Sequence, residues 1–265
     1  MKLQKTIIAA VLLSIIVPLA VMLLWIFVER WAWPNLWPQT FSMRALNEIF
    51  GRKEELFSLL VSSVWISTVV GSLSVVIGTM TSRALVCCEF AGKKLVHFFS
   101  VLPFMVPATV FAMGIQITLI KMGLNNTVTG VIIVHLICSL PYAVRLIIDG
   151  MEALGTGLEE QARVLGANSW QAFLRVTFPV LTPVLISAMN MAYIVSFSQY
   201  FLTLLIGGGR VKTFTIVMVP FLQSGDRNIA CIYSTLFLGV TLIVFAFFEK
   251  LAGKWSKNES ESFYT

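Results

Sequence analysis

The sequence predicts an all-α, polytopic membrane protein. Mean hydropathy is +0.86, 57% of residues are hydrophobic and only 12% are charged, too little charge to cover the surface of a soluble domain. Six apolar stretches approach or exceed the roughly 20 residues that an α-helix needs to cross a bilayer. The basic residues give a net charge of +6 and fall between those stretches, where they orient the chain in a lipid bilayer rather than hold nucleic acid.

The first stretch, 6–28, follows Lys2 and Lys5 as a signal peptide would. Its apolar run is too long for one, and no small-residue cleavage site comes after it. Tryptophan-rich "ERWAWP" comes instead, a composition suited to the membrane–water interface. The second, 58–82, is rich in Ser and Gly; small residues let helix backbones approach closely, which predicts a helix packed inside a bundle. The third, 95–120, contains Pro103 and Pro107, expected to be tolerated in one span because neighbours satisfy the freed carbonyls. The fourth is 127–148, the fifth 180–206 and the sixth 229–251. Together they make one transmembrane domain, 1–252, followed by a tail, 253–265, whose "KNESESFYT" is polar enough to be disordered.

Placing both termini in the cytoplasm puts Lys2, Lys5, Arg83, Lys93, Lys94, Arg145, Arg163, Arg175, Lys250, Lys254 and Lys257 inside, eleven against eight outside. That is the bias expected of this orientation. Cys87, Cys88, Cys138 and Cys231 form no C-x-x-C pair and are expected to be small packing residues rather than metal ligands.

The polar stretch between the fourth and fifth spans then faces the cytoplasm. Within 156–178, Thr156 and Glu159 have capping-box spacing, so a helix is predicted to start near 157. Leu158, Ala162 and Leu165 fall on one apolar face. Gly166 follows, where glycine readily takes the left-handed conformation. Asn168 with Gln171 three residues later predicts a second helix to about 177, and Pro179 and Pro183 mark the start of the fifth span. The pattern itself fits either an interfacial hairpin lying on lipid or a helix that fills a groove on a cytoplasmic partner.

This stretch resembles the signature of the inner-membrane permease subunits of binding-protein-dependent ABC importers. The signature is E-A-A, three residues, G, nine residues, I, one residue, L-P. Here stand Glu160-Gln161-Ala162, Gly166, Val176 and Phe178-Pro179. Every spacing holds, and Gln161, Val176 and Phe178 are the departures. The six spans and the length agree as well, and the chain looks most like the type I branch that serves polyamines, ferric iron, thiamine, sulfate or phosphonates. The resemblance implies a type I importer permease fold in the bacterial cytoplasmic (inner) membrane, with coupling helices between helices 4 and 5. It implies as partners a second permease subunit (a paralogue), two ABC ATPase subunits that bind ATP and Mg, and an extracytoplasmic substrate-binding protein. Leu158, Glu160, Gln161, Ala162, Leu165 and Gly166 would then be the ATPase-coupling residues.

The chain is not expected to be an enzyme in its own right and needs no cofactor of its own. It has no G-x-x-x-x-G-K-[ST] phosphate loop; "LIGGGRVKT", 205–213, lacks the Gly-Lys-Ser/Thr ending and reads as a flexible external loop. Polar residues inside a span are costly and therefore candidates for the translocation pathway. These are His135 in the fourth span and Asn190, Tyr193, Ser196, Gln199 and Tyr200 in the fifth, with Asn190, Tyr193 and Tyr200 sharing a helical face. Packing roles are the alternative, hydrogen bonding between helices for the fifth-span set and a neutral, hydrogen-bonded imidazole for His135. Polyamine permeases of similar sequence carry aspartates near Ser198 and Gln199. The neutral residues here argue mildly against a cationic substrate, which favours carboxylates in a low-dielectric path. A secondary transporter or a polytopic membrane enzyme are the other readings. Against them, no acidic residue lies near the middle of a span, and no nucleophile, base or metal-ligand cluster converges from the loops.

Overall fold

A computed structural model of the protein describes residues 2–262. In chain order the elements are α1 (Lys2–Trp25), β1 (Val28–Arg30), β2 (Thr40–Phe41), α2 (Arg44–Gly51), α3 (Lys53–Cys87), α4 (Lys93–Met105), α5 (Ala108–Lys121) and α6 (Val128–Leu154). Then come α7 (Gly157–Val164), α8 (Ser169–Ala172), a π-turn (Phe173–Thr177), α9 (Phe178–Phe197), α10 (Phe201–Gly207), α11 (Phe214–Ser224) and α12 (Arg227–Ser262). The strands pair antiparallel, with Val28 opposite Phe41. Among the described residues five helices are long and apolar enough to cross a membrane: α1, α3, α6, Ser169–Phe197, and the Arg227–Leu251 part of α12.

The expected third span is two shorter helices. Val106 and Pro107 are extended, with ψ near 125° and 130°. A residue before proline is pushed out of the α region, and Pro107 stops α4 and starts α5 instead of kinking one helix. The expected fifth span also stops early, at Phe197, and resumes as α10 after a turn at Ser198–Tyr200. The segment read as a flexible glycine loop is a closed turn. Gly208 and Gly209 have φ of 51° and 77°, the Val211 N–H bonds to the Gly207 carbonyl at 3.2 Å, and Val211 is buried. No helix is expected between the fifth and sixth apolar stretches, yet α11 stands there at Phe214–Ser224. At the C-terminus α12 runs on through Ser262 where a disordered tail is expected, while Phe263–Thr265 lie outside the described residues.

The chain forms two units, Met1–Leu60 with Phe214–Leu242, and Val61–Thr213 with Ile243–Thr265. In the first, Ile26, Ala45, Leu56, Phe214, Met218 and Tyr233 make the core. Tyr233 lies between Phe214 and Phe221, with centroids 5.7 and 5.0 Å away. Asn228 Nδ2 donates to the Trp25 and Ile26 carbonyls at 3.1 and 2.7 Å, satisfying the open end of α1, and Arg44 pairs with Asp226.

In the second unit α6 lies along α9, and the small residues of α3 let it come close to both. A Cβ on Gly71 would stand 3.2 Å from the Met189 carbonyl oxygen, and one on Gly78 3.2 Å from Ile147 Cδ1. Ser82 Oγ donates to the Val144 carbonyl at 3.1 Å. The Ser/Gly face of the second span is thus a packing face.

Candidate functional site

The hairpin expected between α6 and α9 is present, but its two arms are built differently. At its start the expected Thr156–Glu159 box does not form. Thr156 has φ −95° and ψ −11° and its side chain caps nothing. Glu159 turns instead to Arg83, 2.5 Å away, and accepts a second bond from the Thr177 hydroxyl at 3.0 Å. Bonds to an ionised partner are the stronger ones, so the carboxylate goes to the guanidinium rather than to a backbone N–H.

Arg83 is the centre of this contact. It comes from the end of α3, its guanidinium sits 4.2 Å above the Phe173 ring, and it reaches the Ser169 carbonyl at 3.5 Å. Trp170 and Phe178 flank Phe173 at 6.0 and 6.2 Å between centroids. A cavity of about 20 Å³, room for one water, lies among Arg83, Met151, Glu159, Phe173 and Thr177.

α7 ends at the glycine as expected. Gly166 has φ +95°, its N–H bonds to the Arg163 carbonyl at 3.0 Å, and the Ala167 N–H bonds to the Ala162 carbonyl at 3.0 Å. This pair of bonds is a Schellman closure, which needs a left-handed residue at that position. At the end of the helix, Val164 and Leu165 are 87% and 88% exposed, and Leu158 in its first turn is 43% exposed. Glu160 and Gln161 also face outward, and Ala162 is half-buried. Within this chain, then, the apolar tip of the arm is uncovered among the described residues.

The second arm is not a separate helix. Asn168 and Gln171 do form a capping box, with bonds of 2.8 and 3.1 Å. From there α8 passes through the π-turn straight into α9. Pro179 has no N–H to return to residue 175, and its ring crowds that carbonyl. The turn before it widens, and the Phe178 N–H reaches back five residues to the Phe173 carbonyl, a π register that takes up the proline.

The candidate pathway residues do not share one face. His135 is 1% exposed, with Nδ1 3.0 Å from Ser196 Oγ and Nε2 3.0 Å from Thr203 Oγ1. Thr203 gives its own proton to the Gln199 carbonyl at 2.8 Å, so it accepts from Nε2–H, and Nδ1 accepts from Ser196. Tyr193 is buried between Phe197, stacked at 5.5 Å, and Phe248, edge-on at 6.2 Å. Asn190 is buried without a partner for its Oδ1 among the described residues; it lines a cleft of about 380 Å³ with Met191, Ile194 and Glu249. Gln199 lines another of about 220 Å³, with Pro103, Val106 and Tyr142. Tyr200, half-buried, stands at the α9–α10 turn. That turn is why the expected Asn190–Tyr193–Tyr200 face does not persist.

Sequence reasoning missed Arg83, Glu159, Phe173 and Thr177. The available signal was Glu159 itself, an acid on the side of α7 opposite the outward Glu160 and Gln161, together with an arginine ending the second span.

Comparison with known proteins agrees with the hairpin signature. The family described as "Binding-protein-dependent transport system inner membrane component" matches residues 74–256. The ferric transport system permease protein FbpB of Actinobacillus pleuropneumoniae is 22% identical over 205 residues, covering 77% of this chain and 30% of that protein. A probable sulfate transport system permease protein cysT of Prototheca wickerhamii is 31% identical over 130 residues, 44% of this chain and 51% of that one. The chain thus matches only about a third to a half of the length of these two relatives. Among solved structures, a bacterial alginate ABC transporter in complex with an alginate pentasaccharide-bound periplasmic protein superposes with a TM-score of 0.59 at 15% identity. It covers 80% of this chain and 86% of that one, a likeness of fold.

Proposed function

Because the chain belongs to the family of binding-protein-dependent transport system inner membrane components, we propose that it is a transmembrane permease subunit of an ATP-driven ABC importer. It forms the translocation pathway with a second permease subunit, and α7 docks in a groove on a cytoplasmic ATPase subunit. A binding protein delivers substrate to the outer face, as the periplasmic partner in the alginate transporter suggests. The ATP and Mg site belongs to the ATPase chains, because this sequence has no phosphate loop. Both termini and the hairpin lie in the cytoplasm, in keeping with the excess of Lys and Arg there.

The observation that supports the coupling role is the hairpin. Its signature residues stay in register, Gly166 is left-handed, and Val164 and Leu165 stand clear of the chain. An apolar tip held out at the end of a short, glycine-closed helix matches the helix-in-groove mode of recognition. The pathway role rests on Asn190 and Gln199, each lining a cleft. The substrate class is open among those of the relatives, which include ferric iron and sulfate.

The test is co-purification of the tagged permease in mild detergent, with mass spectrometry of what comes with it. An ABC ATPase and a second permease should appear at stoichiometric yield, and ATP hydrolysis should be absent from the isolated chain. Recovery of the permease without any ATPase, under conditions that preserve related complexes, would sink the reading.

A further inference from the structure

We propose that Arg83 is the positioning residue through which movement of the coupling arm reaches the membrane helices; this rests on the ATPase-docking role of α7. α7 is joined to its neighbours in the chain through glycines in the left-handed region, where the helical backbone does not run on. Gly155 precedes it with φ +68° and Gly166 ends it with φ +95°. A docked helix between two such joints would swivel when pushed unless something else held it. The polar holding contacts that the structure records are the bonds of Glu159, with Arg83 on one carboxylate oxygen and Thr177 on the other.

The geometry at Arg83 serves this role. A single guanidinium pairs with α7 through Glu159, sits 4.2 Å above the Phe173 ring in the second arm, and reaches the Ser169 carbonyl. Three pieces of chain, the end of α3 and both arms, thus meet on one planar group. The pair is partly shielded, with side chains 26% and 18% exposed, so water competes less than at an open surface. A planar fork can hold a carboxylate and stack on a ring at the same time, which a lysine ammonium does poorly. The one-water cavity beneath, lined by Arg83, Glu159, Phe173 and Thr177, leaves little slack.

The experiment uses the intact complex purified with its ATPase, with spin labels on Arg163, an exposed position of α7 outside the signature residues, and on Met80, an exposed position of α3. Distances are measured without nucleotide and with ATP plus orthovanadate. In the otherwise unaltered complex the two labels should keep one narrow distance in both states. Arg83→Gln should broaden that distribution and lower the ratio of binding-protein-stimulated to basal ATPase activity about tenfold. Arg83→Lys should fall between, and the exchange Arg83→Glu with Glu159→Arg should restore the narrow distance. The exchange variant also guards against simple misfolding of the single variants. A narrow distance and an unchanged stimulation ratio in Arg83→Gln would overturn the proposal while leaving ATPase docking intact. Failure of the unaltered complex to retain the ATPase would instead overturn the docking role, and this proposal with it.

Discussion

The two arms of the hairpin between α6 and α9 have similar sequence signals and different physical construction. Both are short, both begin at a residue suited to capping, and both have one apolar face. The second arm is welded to a span: its capping box forms, and the π-turn carries it into α9 without a break. The first arm is a separate eight-residue helix closed by a glycine and fastened through one carboxylate. A helix this short is marginal alone in water, so α7 depends on its cap and its ion pair where the other arm depends on the body of α9. The same local pattern therefore yields a separate helix and a continuous one, and what distinguishes them is whether the backbone hydrogen bonds run on.

The difference can be broken most severely at Gly166. Replacement by Val forces a β-branched residue to a φ of +95°, a strain on the order of 1–3 kcal/mol. A Cβ there meets nothing within 4 Å, so the effect is conformational rather than steric. Gly166→Val should reduce ATPase co-purification and uptake at least tenfold, and Gly166→Asn should retain part of both, because Asn tolerates the left-handed region.

Next in size is the uncovered tip. Leu165→Asp should leave the melting temperature of the permease in detergent unchanged, since an exposed change away from the core shifts stability by about 0.5 kcal/mol or less. Its affinity for the ATPase should drop about tenfold, equivalent to about 1.4 kcal/mol. Equal binding by the variant would mean that the tip does not dock.

A smaller effect is expected at Thr177. Thr177→Val removes one of the two bonds that hold Glu159, worth about 1 kcal/mol. Hydrogen exchange of the α7 amides should quicken roughly fivefold, while α9 amides keep their rates. The smallest effect belongs to Asn168→Ala. Loss of a cap costs about 0.5–2 kcal/mol, and the low end applies to an arm continuous with a long helix. Exchange should quicken only at Ser169–Gln171. Fraying of α7 in this variant would show that the arms are less separate than their hydrogen bonds indicate.

Much of this was legible in the sequence, and the failures share a cause. Apolar run length located α1, α3, α6, α9 and α12, and the spacing from Glu160 to Pro179 located the hairpin, because burial in lipid and a fixed turn both write themselves into composition and register. Gly166 and the Asn168–Gln171 box were readable because each depends on its own few residues. Arg83 was not, because it lies 76 positions from Glu159 and only packing brings them together. The contacts of the candidate pathway residues were hidden in the same way: His135 meets Ser196 and Thr203 across 61 and 68 positions. Pro107 misled in the other direction. The apolar run around it suggests one span that tolerates the proline, but the steric demand on Val106 ends the helix.

That ending at Val106 has a further consequence for how the protein meets its surroundings. Each helix end leaves several peptide groups without intrahelical partners, and hydrocarbon offers none. The elbow between α4 and α5 therefore does not belong in the annulus of acyl chains. It must be turned toward hydrated or proteinaceous surroundings, where the cleft lined by Pro103, Val106, Tyr142 and Gln199 supplies polar company. One proline thereby fixes which flank of the second unit is kept from the oil, an azimuth that the even hydrophobicity of the spans leaves undefined.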